Sequence, residues 1–289
     1  MGLKITFCMI NRGRFGDTTV EVITKMIKES ENIICIFAES DSCDKELGLD
    51  GRKVLKEIIK ASGRTDFSLI IAKNQNVGMN AIAFGDMKAE SFAWKCINRD
   101  NLKHPQSTSE HYLHHRMHAK VKLGKALKES LGVQYINILA QHQSAFVRPF
   151  TRFRQAKEIF KLAYNSDNSD TITLIARDQN SFIPGEGFLE RQLRKKYGMY
   201  DLTRGFKSTY NVMNLETDQG DFAHRFVKTV YSNWLGRIVG KLVTNTDKIE
   251  SLLVEKDVLD KYETKAFDVI IPSMDHDLVG VEITRKVVS

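Results

Sequence analysis

Several polar residues of this sequence stand where an apolar, β-branched run ends. Asn11 follows ITFCMI, Glu39 follows IICIFA, His142 follows YINILAQ, Asp178 and Asn180 follow TITLIAR, and Asp275 with His276 follow VIIPSM. Each alone reads as a cap or turn residue. Together they bring carboxylates, amides and imidazoles to five strand ends, and ligand sites in α/β sheets form at such ends. Carboxylate and amide oxygens suit a hard cation, and an imidazole exchanges protons near neutral pH. The stretch FDVIIPSMDHDLVGVEI, Phe267 to Ile283, sets His276 between Asp275 and Asp277 where two strands would otherwise close a buried sheet. Asp277 itself reads as a solvent-facing turn residue.

The elements that must position these groups can be read from periodicity. LKITFCMI and NIICIFAE are strands on either side of a helix from about Asp17 to Ser30, whose stripe is Val20, Ile23 and Ile27. This is a β-α-β opening. Further strands are expected at FSLIIAK, NAIAF, SFAWKCI, MHAKVKL, VQYINILA, TITLIA, RIVGKLVT, FDVII and VGVEI, with helices near Arg52 to Ser62, Thr151 to Tyr164 and Gly187 to Tyr197. In the Thr151 helix, Phe150, Phe153 and Phe160 read as the core stripe, with Arg152 and Arg154 outside. Asp100 to Glu110 reads as a surface loop. Many strands, few helices and no Pro/Gly-rich linker predict one α/β domain of two packed sheets across residues 1–289.

Composition limits the partners and the compartment. With 42% hydrophobic and 27% charged residues over 289 positions, the chain can bury one large core. No apolar run approaches the length of a membrane span and no signal-peptide pattern opens the chain, so a soluble, intracellular, cytoplasmic protein is expected. Cys8, Cys35, Cys43 and Cys96 show no CxxC pairing and read as free structural thiols. The net charge of +7 admits an anionic partner. Cations gather at Arg148, Arg152, Arg154 and Lys157, and again at Arg191, Arg194, Lys195 and Lys196. HYLHHRMH could set His111, His115 and His118 on one face only if it were helical; the strand-like MHAKVKL instead puts His118 on a polar strand face.

The order of the strand-end residues, with GMNAIAF between them, resembles the DNase I-like exonuclease/endonuclease/phosphatase superfamily over nearly the whole chain, Lys4 to Ile283. That resemblance implies an α/β four-layer sandwich of two mixed β-sheets flanked by helices. It also implies Mg²⁺-dependent (or Mn²⁺-dependent) phosphoric ester hydrolysis, with Glu39 and Asn11 as metal ligands. Asp178 would orient or deprotonate the attacking water, Asn180 would hold a phosphate oxygen, and His142 would support charge on a non-bridging oxygen. Asp275 and His276 would complete the phosphate pocket. The sequence departs from the superfamily at RDQN, where Arg177 replaces a glycine, and at SNWLGRIVGKLV, where Gly236 replaces an acidic partner of the terminal histidine. Arg177, Arg152, Arg237 and Trp234 are read as substrate contacts. The basic excess favours nucleic acid as substrate and partner. A phosphatase on a phosphorylated small molecule or inositol headgroup, and a degenerate non-catalytic binding member, are the alternatives.

Overall fold

The computed structural model describes residues 2–9, 17–38, 51–70, 79–97, 114–143, 149–165, 169–179, 186–204, 206, 250–271 and 277–287. In chain order its elements are β1 Leu3–Met9, α1 Asp17–Lys28, β2 Ile33–Ala38, α2 Gly51–Ser62, β3 Phe67–Ile70, β4 Met79–Phe84, β5 Met87–Ile97 and β6 His114–Leu123. They continue with α3 Lys125–Leu131, β7 Tyr135–His142, α4 Pro149–Tyr164, β8 Thr171–Asp178, α5 Glu186–Lys196, β9 Met199–Asp201, β10 Glu250–Glu255, α6 Val258–Lys261, β11 Tyr262–Val269 and β12 Leu278–Arg285.

The strands form two six-stranded sheets, ordered β11-β12-β1-β2-β4-β3 and β5-β6-β7-β8-β10-β9. Each sheet is mixed. Among the described strands its one parallel pair, β1 with β2 or β7 with β8, encloses a crossover helix, α1 or α4, and the other described neighbours run antiparallel. A parallel pair needs such a crossover, which explains why helices follow the central strands.

Strand periodicity sorts the side chains into three cores. Ile34, Ile36 and Ala38 of β2 share one core with Ile136, Ile138 and Ala140 of β7, so the two sheets pack face to face. The alternate residues Ile33, Cys35 and Phe37 pack under Ile23 and Ile27 of α1 and Leu55 and Ile58 of α2. On the far side Leu139, Ile175 and Leu253 pack under Ile159 and Phe160 of α4 and Leu193 of α5. The layers are helix, sheet, sheet, helix, the four-layer sandwich expected. Because the central strands are covered on both faces, they read as continuous apolar runs rather than alternating ones.

Some expectations are corrected. The buried face of α4 is Arg152, Gln155, Ala156, Ile159, Phe160 and Ala163, while Phe153 is only partly buried, so the stripe is rotated from the one read on the phenylalanines. Residues 114–118 lie in strand β6, so positions 115 and 118 have opposite parity and a helical histidine face does not form there. His118 Nε2 lies 2.6 Å from Asn137 Oδ1 on the polar side of the sheet. Among the described residues no group of three His, Cys, Asp or Glu side chains is placed to hold a metal. Helix α3 and strands β9 and β10 were not expected. The Asp100 to Glu110 loop, the RIVGKLVT strand and His111 lie outside the described residues. No helix of the described residues is long and apolar enough to cross a membrane.

Candidate active site

The inner-face positions of β7 run Ile136, Ile138, Ala140 and then His142; those of β8 run Ile172, Leu174, Ala176 and then Asp178. In both strands the core-facing series turns polar at its last residue. The parallel register sets His142 beside Asp178. The two side chains meet, with Nε2 3.3 Å from Oδ2, at 5% and 1% exposure. A carboxylate so placed fixes the imidazole's orientation and favours a proton on the nitrogen facing it. The pair can thus hold a proton and present an oriented ring at the end of the sheet.

Arg177 and Arg152 are corrected as substrate contacts. One position from Asp178, Arg177 falls on the opposite, helix-covered face and is fully buried. Its guanidinium donates from Nε to Gln141 Oε1 and from Nη2 to Gln143 Oε1, each at 2.9 Å, and from Nη1 to Glu190 of α5. It also lies 4.9 Å from the Phe160 ring centre. The two glutamine amides reach on to α4, with Gln141 Nε2 donating to Gln155 O at 2.8 Å and Gln143 Nε2 to Arg152 O at 2.7 Å. Glu190 further pairs with Arg194, which reaches Asp201. Arg152 lies on the buried face of α4, which packs on this same side of the sheet, away from the face that carries His142 and Asp178. Buried cations of this kind are held by the protein's own acceptors and carboxylates. The network ties the ends of β7 and β8 to both helices directly behind His142 and Asp178.

The other expected strand ends converge on the same end of the sandwich. Tyr262 Oη at the start of β11 donates to Leu131 O of α3 at 2.9 Å, and Arg285, closing β12, packs against Gly132. Since α3 leads into β7, the start of β7 lies by the end of β12. Strand β12 runs antiparallel to β1, pairing Ile283 with Leu3. The C-terminal ends of β1 and β2 therefore share an edge of the molecule with those of β7 and β8. Asn11, Glu39, Asn180, Trp234, Arg237, Asp275 and His276, with Gly236, lie outside the described residues.

Sequence reading missed four residues here. Asp277, at the start of β12, is 7% exposed rather than a solvent turn. The signal was available, because it abuts the apolar LVGVEI as the other strand-end groups abut theirs. Gln141, Gln143 and Glu190 were also missed; for the two glutamines the signal was polar residues at alternate positions as an apolar strand ends, and Glu190 on α5 offered none. A cavity of about 580 Å³ lies at the opposite end of the sheets, lined by Asn32, Arg64, Asp66 and Asp86 among others. There Arg64 donates to Ile27 O, Ser30 O, Glu31 O and both Asp66 oxygens, so its donors close the end of α1.

No protein-family profile and no curated protein matches the sequence. Solved structures do match. An endonuclease/exonuclease/phosphatase family protein from Bacteroides thetaiotaomicron aligns with a TM-score of 0.58 at 10% identity, over 99% of this chain and 98% of its own. The mannosyl-6-phosphatase of the same organism aligns at 0.57 and 11% identity, over 98% and 99%. TDP2 of D. rerio, complexed with a single-strand DNA product, aligns at 0.55 and 10% identity, again over 98% and 99%. Likeness at this identity is likeness of fold, and the chain carries the DNase I-like exonuclease/endonuclease/phosphatase fold.

Proposed function

We propose that this protein is a divalent-cation-dependent phosphodiesterase that hydrolyses nucleic acid. The carrying observation is the His142–Asp178 pair, buried and in contact at the C-terminal edge of the central parallel strands. Proteins of similar fold include a phosphatase and an enzyme bound to a DNA product, which supports hydrolysis of phosphoric esters. In this reading Asp178 orients the attacking water with one oxygen and accepts its proton, and the His142 imidazolium, its Nε2–H held by the other oxygen, donates from Nδ1 to a non-bridging phosphate oxygen as charge builds there. Asn180 holds a second oxygen, and Asp275 with His276 completes the pocket. Glu39 and Asn11 follow β2 and β1, whose ends lie on the same edge, and their oxygen donors fit a hard cation. Bound there, Mg²⁺ or Mn²⁺ would neutralise the phosphate and the leaving oxygen. The mannosyl-6-phosphatase neighbour supports a second reading, a phosphatase acting on a small phosphorylated molecule.

The test is cleavage of labelled single- and double-stranded oligonucleotides, and phosphate release from sugar and inositol phosphates, with Mg²⁺ or Mn²⁺ and with chelator. We expect oligonucleotide cleavage that needs the cation and is lost in Glu39→Ala and Asp178→Asn, with circular dichroism confirming that both variants fold. Cleavage undiminished by chelator would overturn the metal assignment. Turnover of the small phosphates alone would establish the second reading, and metal-dependent binding without turnover of anything would establish a non-catalytic role.

A further inference from the structure

Among their described side chains, the two helical layers of the sandwich carry different charge. Over the first sheet, the exposed charged groups among the described side chains of α1 and α2 are Lys25, Lys28, Lys56 and Lys60, offset by Glu21 and Glu57 on the helices and Glu29 and Glu31 just beyond α1, and the sequence of the two helices adds Asp17, Arg52 and Lys53. Lys25 pairs with Glu29 at 3.9 Å. Over the second sheet, α4 exposes Arg154, Lys157 and Lys161 and α5 exposes Arg191, Lys195 and Lys196. The one exposed carboxylate among the described side chains of these two helices is Glu158, and Arg116 engages it at 3.4 Å. None of the six cations has an ion-pair partner among the described residues. Lys157 with Lys161, and Arg191 with Lys195, are like charges at i, i+4, an arrangement that opposes helix formation. Lys161, Lys195 and Lys196 complement the C-terminal ends of their helices, but the face as a whole keeps an uncompensated positive charge open to an anionic partner.

Its position is informative. Helix α4 leaves the end of β7 and α5 leaves the end of β8, each running back from the edge that holds His142 and Asp178. Strand β9 is parallel to β8, since both pair antiparallel with β10, so α4 and α5 are successive crossovers lying side by side with the same direction. Arg154 and Arg191 stand nearest the candidate active site, and the lysines continue away from it. Phe188 and Tyr164, at 56% and 64% exposure, flank the cations at the two ends of the face. Such rings offer stacking surfaces to bases, and regularly spaced cations neutralise a phosphate backbone.

We propose that the outer face of α4 and α5 is a second binding surface, which holds the phosphate backbone of a nucleic acid outside the active site and feeds it to the strand-end pair. The proposal rests on the phosphodiesterase reading for the identity of the polyanion, and it locates binding on helices rather than at the strand ends where chemistry is placed. An anionic membrane is the competing partner. The apolar groups on this face are scattered rather than contiguous, which favours a backbone over a bilayer.

The experiment compares wild type with Lys157→Glu/Lys161→Glu/Lys195→Glu and with a control reversal on the α1–α2 layer, Lys25→Glu/Lys28→Glu/Lys56→Glu. Oligonucleotide affinity is measured in chelator over a range of salt, and metal-dependent hydrolysis of bis(p-nitrophenyl) phosphate is followed in parallel. We expect the α4–α5 reversal to weaken binding at least about tenfold and to flatten the logarithmic salt dependence by roughly one unit per lost phosphate contact. Hydrolysis of the small ester should stay at the wild-type rate, and the control reversal should do far less to binding. Oligonucleotide affinity unchanged by the α4–α5 reversal, or weakened equally by the control, overturns the proposal. So does reversal-sensitive binding to phosphatidylserine vesicles without binding to oligonucleotide, which would assign the face to a membrane. Absence of all metal-dependent hydrolysis in wild type would instead defeat the phosphodiesterase reading, a failure these binding measurements distinguish.

Discussion

An arginine with no exposed surface must find its counter-charge and acceptors inside the protein, and Arg177 finds them in Glu190, Gln141 and Gln143. Losing one partner of a buried pair leaves an uncompensated charge, which costs about 3–5 kcal/mol. Glu190→Gln should therefore lower stability by about that amount in urea unfolding, and Arg177→Lys should fail to restore native stability, because a point charge cannot serve three acceptors at fixed angles. A loss under about 1 kcal/mol would mean that the pair is no more than a surface bridge. The mistaken reading of Arg177 has a physical origin. Its place beside Asp178 along the chain was legible, but the period of two that carries Asp178 to the core face carries Arg177 to the other. Arg152 was misread for the matching reason on a helix, since it stands at i−4 from Ala156 and i−8 from Phe160 on the buried stripe. His142 and Asp178 were legible as strand-end groups, whereas their mutual contact depends on the β7–β8 register, which sequence alone does not give. Cys35, read as a structural thiol, is buried under α1 and α2, and burial pushes its pKa from 9.0 up to about 12. The folded state disfavours the thiolate, so this stability is intact below pH 9 and is lost as pH rises toward 12. Cys35 should resist iodoacetamide in native protein at mildly alkaline pH and react in urea, as peptide mapping by mass spectrometry would reveal. Native-state labelling at the denatured rate would contradict the burial.

At the scale of elements, long segments with a clear period were legible and short ones were not. The opening β-α-β unit, the helices near α2, α4 and α5, and most central strands follow from apolar spacing. Strand β9 has three residues and α3 has seven, too few to display a period. In β10, Leu252 and Val254 face the inter-sheet core while Leu253 faces the α4–α5 core, so the run shows no alternation and could equally have been a buried helical turn. One element pairing rests on a glycine. In the β11–β12 ladder Gly280 lies opposite Phe267, and a Cβ on Gly280 would come within 2.0–2.6 Å of the phenyl ring. The ring covers the glycine and takes Lys4 Nζ at 5.4 Å from its centre. Gly280→Ala must displace Phe267, at a cost of about 1–3 kcal/mol as for other overpacked sites. Combining it with Phe267→Ala should cost less than the sum of the two single changes, measured as a double-mutant cycle. Strict additivity would show that the ring moves aside freely.

For the whole molecule, the two sheets repeat one plan. Each has a central parallel pair with its crossover helix and antiparallel strands on both sides, and the chain's first and last strands, β1 and β12, pair in the same sheet. The sheets could in principle be two units, but their inner faces form one cluster that takes Leu3, Ile36 and Val281 from one and Ile138, Leu174 and Leu252 from the other. Neither sheet can expose that face without losing the hydrophobic stabilisation of its partner, so the sandwich should open as one cooperative body despite its length. Hydrogen exchange followed by mass spectrometry tests this directly. The slowest amides of β1 and β2 should share an opening free energy with those of β7 and β8. Ile138→Ala, expected to cost about 2–5 kcal/mol as a core truncation, should lower protection in both pairs alike, although it lies in only one sheet. Protection lost in β7 and β8 with β1 and β2 unchanged would divide the sandwich into two separately stable layers, and the site at their common edge would then be open to motion of one sheet against the other.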